Sequence, residues 1–119
     1  MNIVNARITD TFLGINDHGI FTFSLDIEMA GGGCQIGNYS LGYTENGKVH
    51  YDAKNSEAIC RVLDVVGVDS WEKLKGKYIR VEDNGWGRGI HTIGNLMKDE
   101  WFNLEEFFSD GQQIYQKTQ

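Results

Sequence analysis

The sequence predicts an α+β fold: a mostly antiparallel, curved sheet of about five strands, one main helix and a short C-terminal helix. Three observations predict it. From Ile20 to Met29 the chain alternates without a break, Phe21, Phe23, Leu25, Ile27 and Met29 on one face and Thr22, Ser24, Asp26 and Glu28 on the other. That is the period of a strand with one buried face. Ile59, Val62, Leu63 and Val66 instead recur at i, i+3, i+4 and i+7, the period of an amphipathic helix. The resulting order, three strands, a helix, two strands and a helix, with glycine-bearing turns between strands, implies hairpins and antiparallel pairing.

Residues 2–9 read as a first strand, although Ile3, Ala6 and Ile8 do not share one phase. Phe12 to Gly19 reads as a strand end followed by an Asn16-Asp17-His18-Gly19 turn, whose residues supply turn chemistry. After the strand 20–29 and the triple glycine at 31–33, Cys34 to Leu41 forms a third strand, and 44–55 reads as a polar loop. Asn55-Ser56 offers a cap for the helix, and Gly67 ends it. Asp69-Ser70 can cap a short turn through Leu74, stopped by Gly76. A strand over Lys77 to Glu82 then turns at Asp83-Asn84-Gly85 and returns from Gly89 through Leu96. Asn103 caps the last helix, in which Leu104, Phe107 and Phe108 share a face, and Trp101-Phe102 anchors it to the sheet. The expected organisation is one domain over 1–110 and a flexible polar tail over 111–119.

Composition narrows the function. The 119 residues suffice for one core but not two. A formal charge of −6 argues against direct nucleic-acid binding and against an acidic membrane surface. The opening residues lack a basic run followed by an apolar one, and no apolar stretch approaches the ~18 residues of a membrane span. A cytoplasmic protein with reduced thiols is expected. Fifteen glycines and no proline leave the turns to glycine, Asn and Asp.

Nucleophilic and metal-assisted chemistry are weakly represented. Asp17-His18 suggests an oriented imidazole, yet adjacent side chains rarely aim at each other, and the pair reads as a turn. His50 lies in the polar loop and is expected to be exposed. The histidines lack metal-ligand spacing, so no metal and no cofactor are expected. Cys60 reads as a core or half-buried helix residue. Cys34 follows three glycines with no helix N-terminus to activate it, and no catalytic residue is assigned.

Two glycine-rich segments carry the stronger signal, Ala30 to Tyr39 and Asn84-Gly85-Trp86-Gly87-Arg88-Gly89. Bare backbone next to rings, amides and a guanidinium suits a planar anionic ligand; two plain hairpin turns are the competing reading. The candidate ligand-binding residues are Gly32, Gly33, Gln35, Asn38, Tyr39, Arg80, Trp86, Arg88 and His91.

Several stretches resemble a small protein family of bacteriophages and prophages, mostly without assigned function. They are Ile8 to Leu13, Asp17-His18-Gly19-Ile20 with Thr22 and Leu25, Gly31 to Leu41, Val66 to Val81, and Ile93-Gly94 through Lys98-Asp99-Glu100-Trp101-Phe102. In size, predicted organisation and aromatic and arginine candidates, the chain is also similar to anti-Thoeris sponge proteins. Those proteins sequester cyclic ADP-ribose isomers and related cyclic nucleotides in symmetric oligomers. The chain carries no motif diagnostic of that class and no arginine after Arg88. The resemblance implies a phage counter-defence protein that captures a nucleotide-derived small molecule without catalysis, as a homodimer or higher oligomer. The alternatives are an inhibitor that binds a bacterial defence enzyme, as anti-CRISPR proteins do, and a small hydrolase using Asp17 and His18.

Overall fold

The alternating segment at Ile20–Met29 becomes the strand around which the sheet is assembled. The computed structural model describes residues 2–51, 54–85 and 87–109. Along the chain these form β1 (Asn2–Ile15), β2 (Ile20–Met29), β3 (Gly32–Gly37), β4 (Gly42–Glu45), β5 (Lys48–Tyr51) and helix α1 (Lys54–Val66). A 3-10 turn at Trp71–Lys73, β6 (Tyr78–Asp83), β7 (Thr92–Gly94) and β8 (Trp101–Asn103) follow, and 104–109 are helical, here α2. The fold is α+β with one antiparallel sheet in the order β5-β4-β2-β1-β6-β7-β8, β3 also pairing with β2. Among the described residues the sheet has eight strands rather than about five.

The extra strands have local causes. The stretch expected to be a loop, 44–55, contains most of the hairpin β4–β5 and the start of α1. Its turn is Asn46-Gly47, with φ of 52° and 75°, the pair of positive values that a two-residue hairpin turn needs. His50 accordingly sits in β5, half-buried and stacked on Tyr43 with ring centroids 4.9 Å apart. β1 runs on to Ile15 because a bulge between Ile8 and Asp10 resets its phase against β2. One extra residue restores the alternation. Ile8 aligns with Ile27 before the bulge, and Thr11, Leu13 and Ile15 align with Leu25, Phe23 and Phe21 after it.

The core is built on Ala6, Ile8, Phe23, Leu25, Ile27, Ile36, Ile79, Val81, Ile93 and Phe102 of the sheet. Against it α1 buries Ala58, Val62 and Val65, with Ile59, Leu63 and Val66 packed at the flank. The buried stripe is thus rotated from the predicted one, and Cys60 is exposed rather than core or half-buried. The helix also starts before its expected cap. Asn55 lies inside α1, and its side-chain amide donates to the Leu41 carbonyl. Gly67 ends α1 as predicted. Its N–H and that of Val68 both reach the Leu63 carbonyl, at 2.8 and 3.0 Å, the wiring of a left-handed helix cap. Asn103 caps α2, its Oδ1 accepting the Glu106 N–H at 3.0 Å. Leu104 and Phe108 are buried and Phe107 is half-buried.

On β2 the face read as polar is not uniformly wet. Thr22 and Ser24 are buried, and the Thr22 hydroxyl donates to the Tyr39 carbonyl at 2.6 Å. The predicted tail and Trp86 lie outside the described residues.

Candidate functional site

The first glycine-rich segment and His91, two residues past the second, arrive from opposite flanks of the sheet and meet. Residues 32–37 form β3 beside β2, and the chain stays against β2 through Asn38 N–H to Phe23 O and Leu41 N–H to Phe21 O. Residues 84–85 and 87–91 lie between β6 and β7 on the far side of β1. Tyr39 and His91, 52 positions apart, join them: the phenol Oη lies 3.0 Å from His91 Nδ1. On its other side His91 Nε2 lies 3.4 Å from a Glu105 carboxylate oxygen. A neutral imidazole has one donor and one acceptor nitrogen. In one neutral tautomer Tyr39 O–H donates to Nδ1 and Nε2–H is directed at Glu105.

The Tyr39 ring lies against Phe108, centroids 4.7 Å apart and planes within 10°. Burial, and then the Glu105 charge, push its phenol above the ordinary value. It keeps its proton at neutral pH. Cys34, on the same segment, is pushed up by burial and then by Asp83. That is the reverse of the shift that makes a reactive thiolate.

The remaining candidates fall into separate groups. Asn38 Nδ2 donates to Gln35 Oε1 at 2.6 Å, and Gln35 Nε2 donates to Asp26 Oδ1 at 2.8 Å. These three make a polar chain along the surface. Gly32 and Gly33 are exposed at the start of β3. Arg80 is occupied by the fold: Nε donates to the Asn95 carbonyl at 2.7 Å and Nη2 to that of Lys98 at 2.8 Å. Its guanidinium lies 4.6 Å from the centre of the Trp101 ring, and that ring covers Gly94 so closely that any side chain there would collide with it. Arg88 is exposed, and its side chain makes no hydrogen bond or ion pair with the described residues. Its backbone N–H reaches Gly85 O at 3.2 Å.

Asp17 and His18 are exposed in their turn, where Asn16 Oδ1 accepts the N–H groups of His18 and Ile20. An open recess lined by Leu63, Asp64, Gly67, Val68, Asp69, Lys73 and Lys77 contains none of the candidates. Its Lys73 amine is held by Asp69 at 2.8 Å. Among the described residues no group of His, Cys, Asp and Glu side chains is placed to hold a metal ion. Nor is any helix among them long and apolar enough to cross a membrane.

Glu105 and Phe108 complete the Tyr39–His91 cluster, and the sequence alone joins neither to it. The cap at Asn103 fixes where α2 starts, but only the meeting of the two flanks reveals what its residues touch. Comparison with family models, curated proteins and solved structures gives no match.

Proposed function

We propose that this chain is a non-catalytic capture protein for a planar, anionic, nucleotide-derived molecule such as a cyclic ADP-ribose isomer. The binding region is the rim where Tyr39 of the first glycine-rich segment meets His91, just past the second. One observation carries this reading: the contact between Tyr39 and His91 joins segments 52 positions apart, and Arg88 is exposed three residues before His91. A guanidinium without a partner among the described residues offers a fork of donors to a phosphate. The glycine backbone beside it leaves room for close approach, and the sequence puts the indole of Trp86 two residues away. With one face of Tyr39 taken by Phe108, Trp86 is the better stacking candidate. Arg80 is assigned to the fold instead. The proposed setting is the cytoplasm of a phage-infected bacterium, where capture would silence a defence signal, and the resemblance of the sequence supports that setting.

Calorimetry with cyclic ADP-ribose isomers and cyclic dinucleotides tests the reading, alongside mass spectrometry of anything released by heating the purified protein. Arg88→Ala removes a charge-assisted contact of about 1.5–3 kcal/mol, a loss of roughly 10- to 100-fold in affinity. The proposal fails if the parent binds none of these molecules, or if Arg88→Ala binds as tightly as the parent.

A further inference from the structure

β1 changes partner part-way along its length. β6 accompanies it from Asn2 to Arg7, and β2 from Arg7 to Ile15. The backbone of Ile8 is still satisfied on the β6 side, its N–H by Lys77 O and its carbonyl by Gly76 N–H. Past the bulge, the side of β1 away from β2 has no strand partner among the described residues. The hairpin closes with Asn16 N–H on Ile20 O at 2.9 Å. Antiparallel alternation then turns the backbone groups of Phe12 and Gly14 toward β2, and those of Thr11, Leu13 and Ile15 outward. The Thr11 N–H finds a local substitute in Asp10 Oδ1 at 2.9 Å.

This edge is also apolar. Phe12, Leu13 and Ile15 are 43%, 37% and 54% exposed. Its one charge, Asp10, lies 3.9 Å from the Lys75 amine, so the patch is close to neutral on a chain of net charge −6. Edge strands are commonly guarded by lysine, proline or shortness. β5 has four residues including Lys48, and β8 has three. β3 carries glycine at 32, 33 and 37, which leaves little to pack across a ladder. Residues 11–15 of β1 have neither lysine nor proline, and only one glycine, Gly14, among five residues.

We infer that this edge pairs with the same edge of a second copy of the chain, antiparallel about a two-fold axis at Leu13. Each copy's Leu13 then faces the other's, and Thr11 faces Ile15. This register satisfies the outward N–H and C=O groups of all three residues, with Thr11 exchanging the Asp10 carboxylate for a strand partner. On the opposite face Phe12 stands across from Gly14, so its ring meets no opposing side chain. Asp10 stands across from Asn16, and no like charges are opposed. A self-complementary strand is what a two-fold interface requires, and the two sheets become one. The surface shares no residue with the Tyr39–His91 rim.

Sedimentation velocity and thiol cross-linking test it on the whole chain. The parent is expected to sediment as a dimer with a Kd at or below about 10 μM. Leu13→Lys, at an exposed position, should shift it to the 13.5 kDa monomer with at least a roughly tenfold rise in Kd, about 1.4 kcal/mol. Tyr51→Lys on the β5 edge should leave the dimer intact. In a Cys60→Ser background, Leu13→Cys should join two copies through a short bis-maleimide, and Tyr51→Cys should not. A monomeric parent at tens of micromolar overturns the inference. So does a dimer that Leu13→Lys leaves unchanged, or one that Tyr51→Lys dissociates. Ligand capture and assembly are read by different assays, so either can fail alone.

Discussion

The two glycine-rich segments look alike in sequence, yet only the first contains glycines where a side chain would collide with a backbone carbonyl. In the first, two glycines are imposed by packing, whereas Gly31 and Gly32 have nothing within 4 Å of an added Cβ. A side chain at Gly37 would sit 2.5 Å from the Phe23 carbonyl, on a backbone whose φ is 111°, and one at Gly33 would sit 2.8 Å from the Ile27 carbonyl. In the second, Gly85 and Gly87 have nothing within 4 Å of an added Cβ. Glycine there serves the course of the chain and leaves open space beside Arg88. The number of glycines in a segment therefore does not mark a site. What a side chain would collide with separates Gly33 and Gly37 from Gly31, Gly32, Gly85 and Gly87.

The largest effect that tests this difference is on stability. Gly37→Ala combines a carbonyl collision with a left-handed backbone and should cost about 3 kcal/mol or more. Gly87→Ala, at a φ of 78° in open space, should cost only about 1 kcal/mol. Urea unfolding of both variants decides it, and equal losses would erase the distinction.

A second test uses the two arginines. Arg80→Ala removes two hydrogen bonds to carbonyls and a stack on Trp101, and should destabilise by about 2 kcal/mol. Arg88→Ala should stay within about 0.5 kcal/mol of the parent. If Arg88 proves as costly as Arg80, it belongs to the fold and its assignment to ligand is wrong.

The smallest effect is a pH dependence confined to the first segment. Cys34 and Tyr39 are pushed up, each first by burial and then by a carboxylate, from ordinary values of 9.0 and 10.0. A raised folded-state value means the folded chain holds its proton more tightly than the unfolded chain. The associated stability is complete below the unfolded values and is lost as pH rises through the folded ones. The urea midpoint should fall on the alkaline side of those ordinary values, and Cys34→Ser combined with Tyr39→Phe should flatten that fall. An unchanged slope in the double variant would show that other groups cause it.

How much of this is legible in the sequence depends on the range of the interaction. Gly67 ending α1 and Asn103 capping α2 are settled within a few residues, and both can be read directly. The core face of β2 is readable for the same reason. Asn46-Gly47 is equally local, but the polar residues around it disguise a short hairpin. Cys60 is harder, because flanking apolar residues make the helix stripe broad and the sheet selects its centre. The burial of Thr22 depends on Tyr39 supplying an acceptor 17 positions away. The Tyr39–His91 contact depends on two flanks on opposite sides of β1. Neither has a local signature.

The division of β1 also has a kinetic consequence. Its pairing with β2 closes a hairpin through the Asn16–Gly19 turn, whereas its partners in β6 run from Tyr78 to Asp83. Contacts between such distant segments form slowly, because a long loop must close before the ladder rewards it. During synthesis the first half of β1 leaves the ribosome long before β6 exists. Until β6 is made, the free edge extends along the whole strand, and the nascent chain is then most exposed to mispairing.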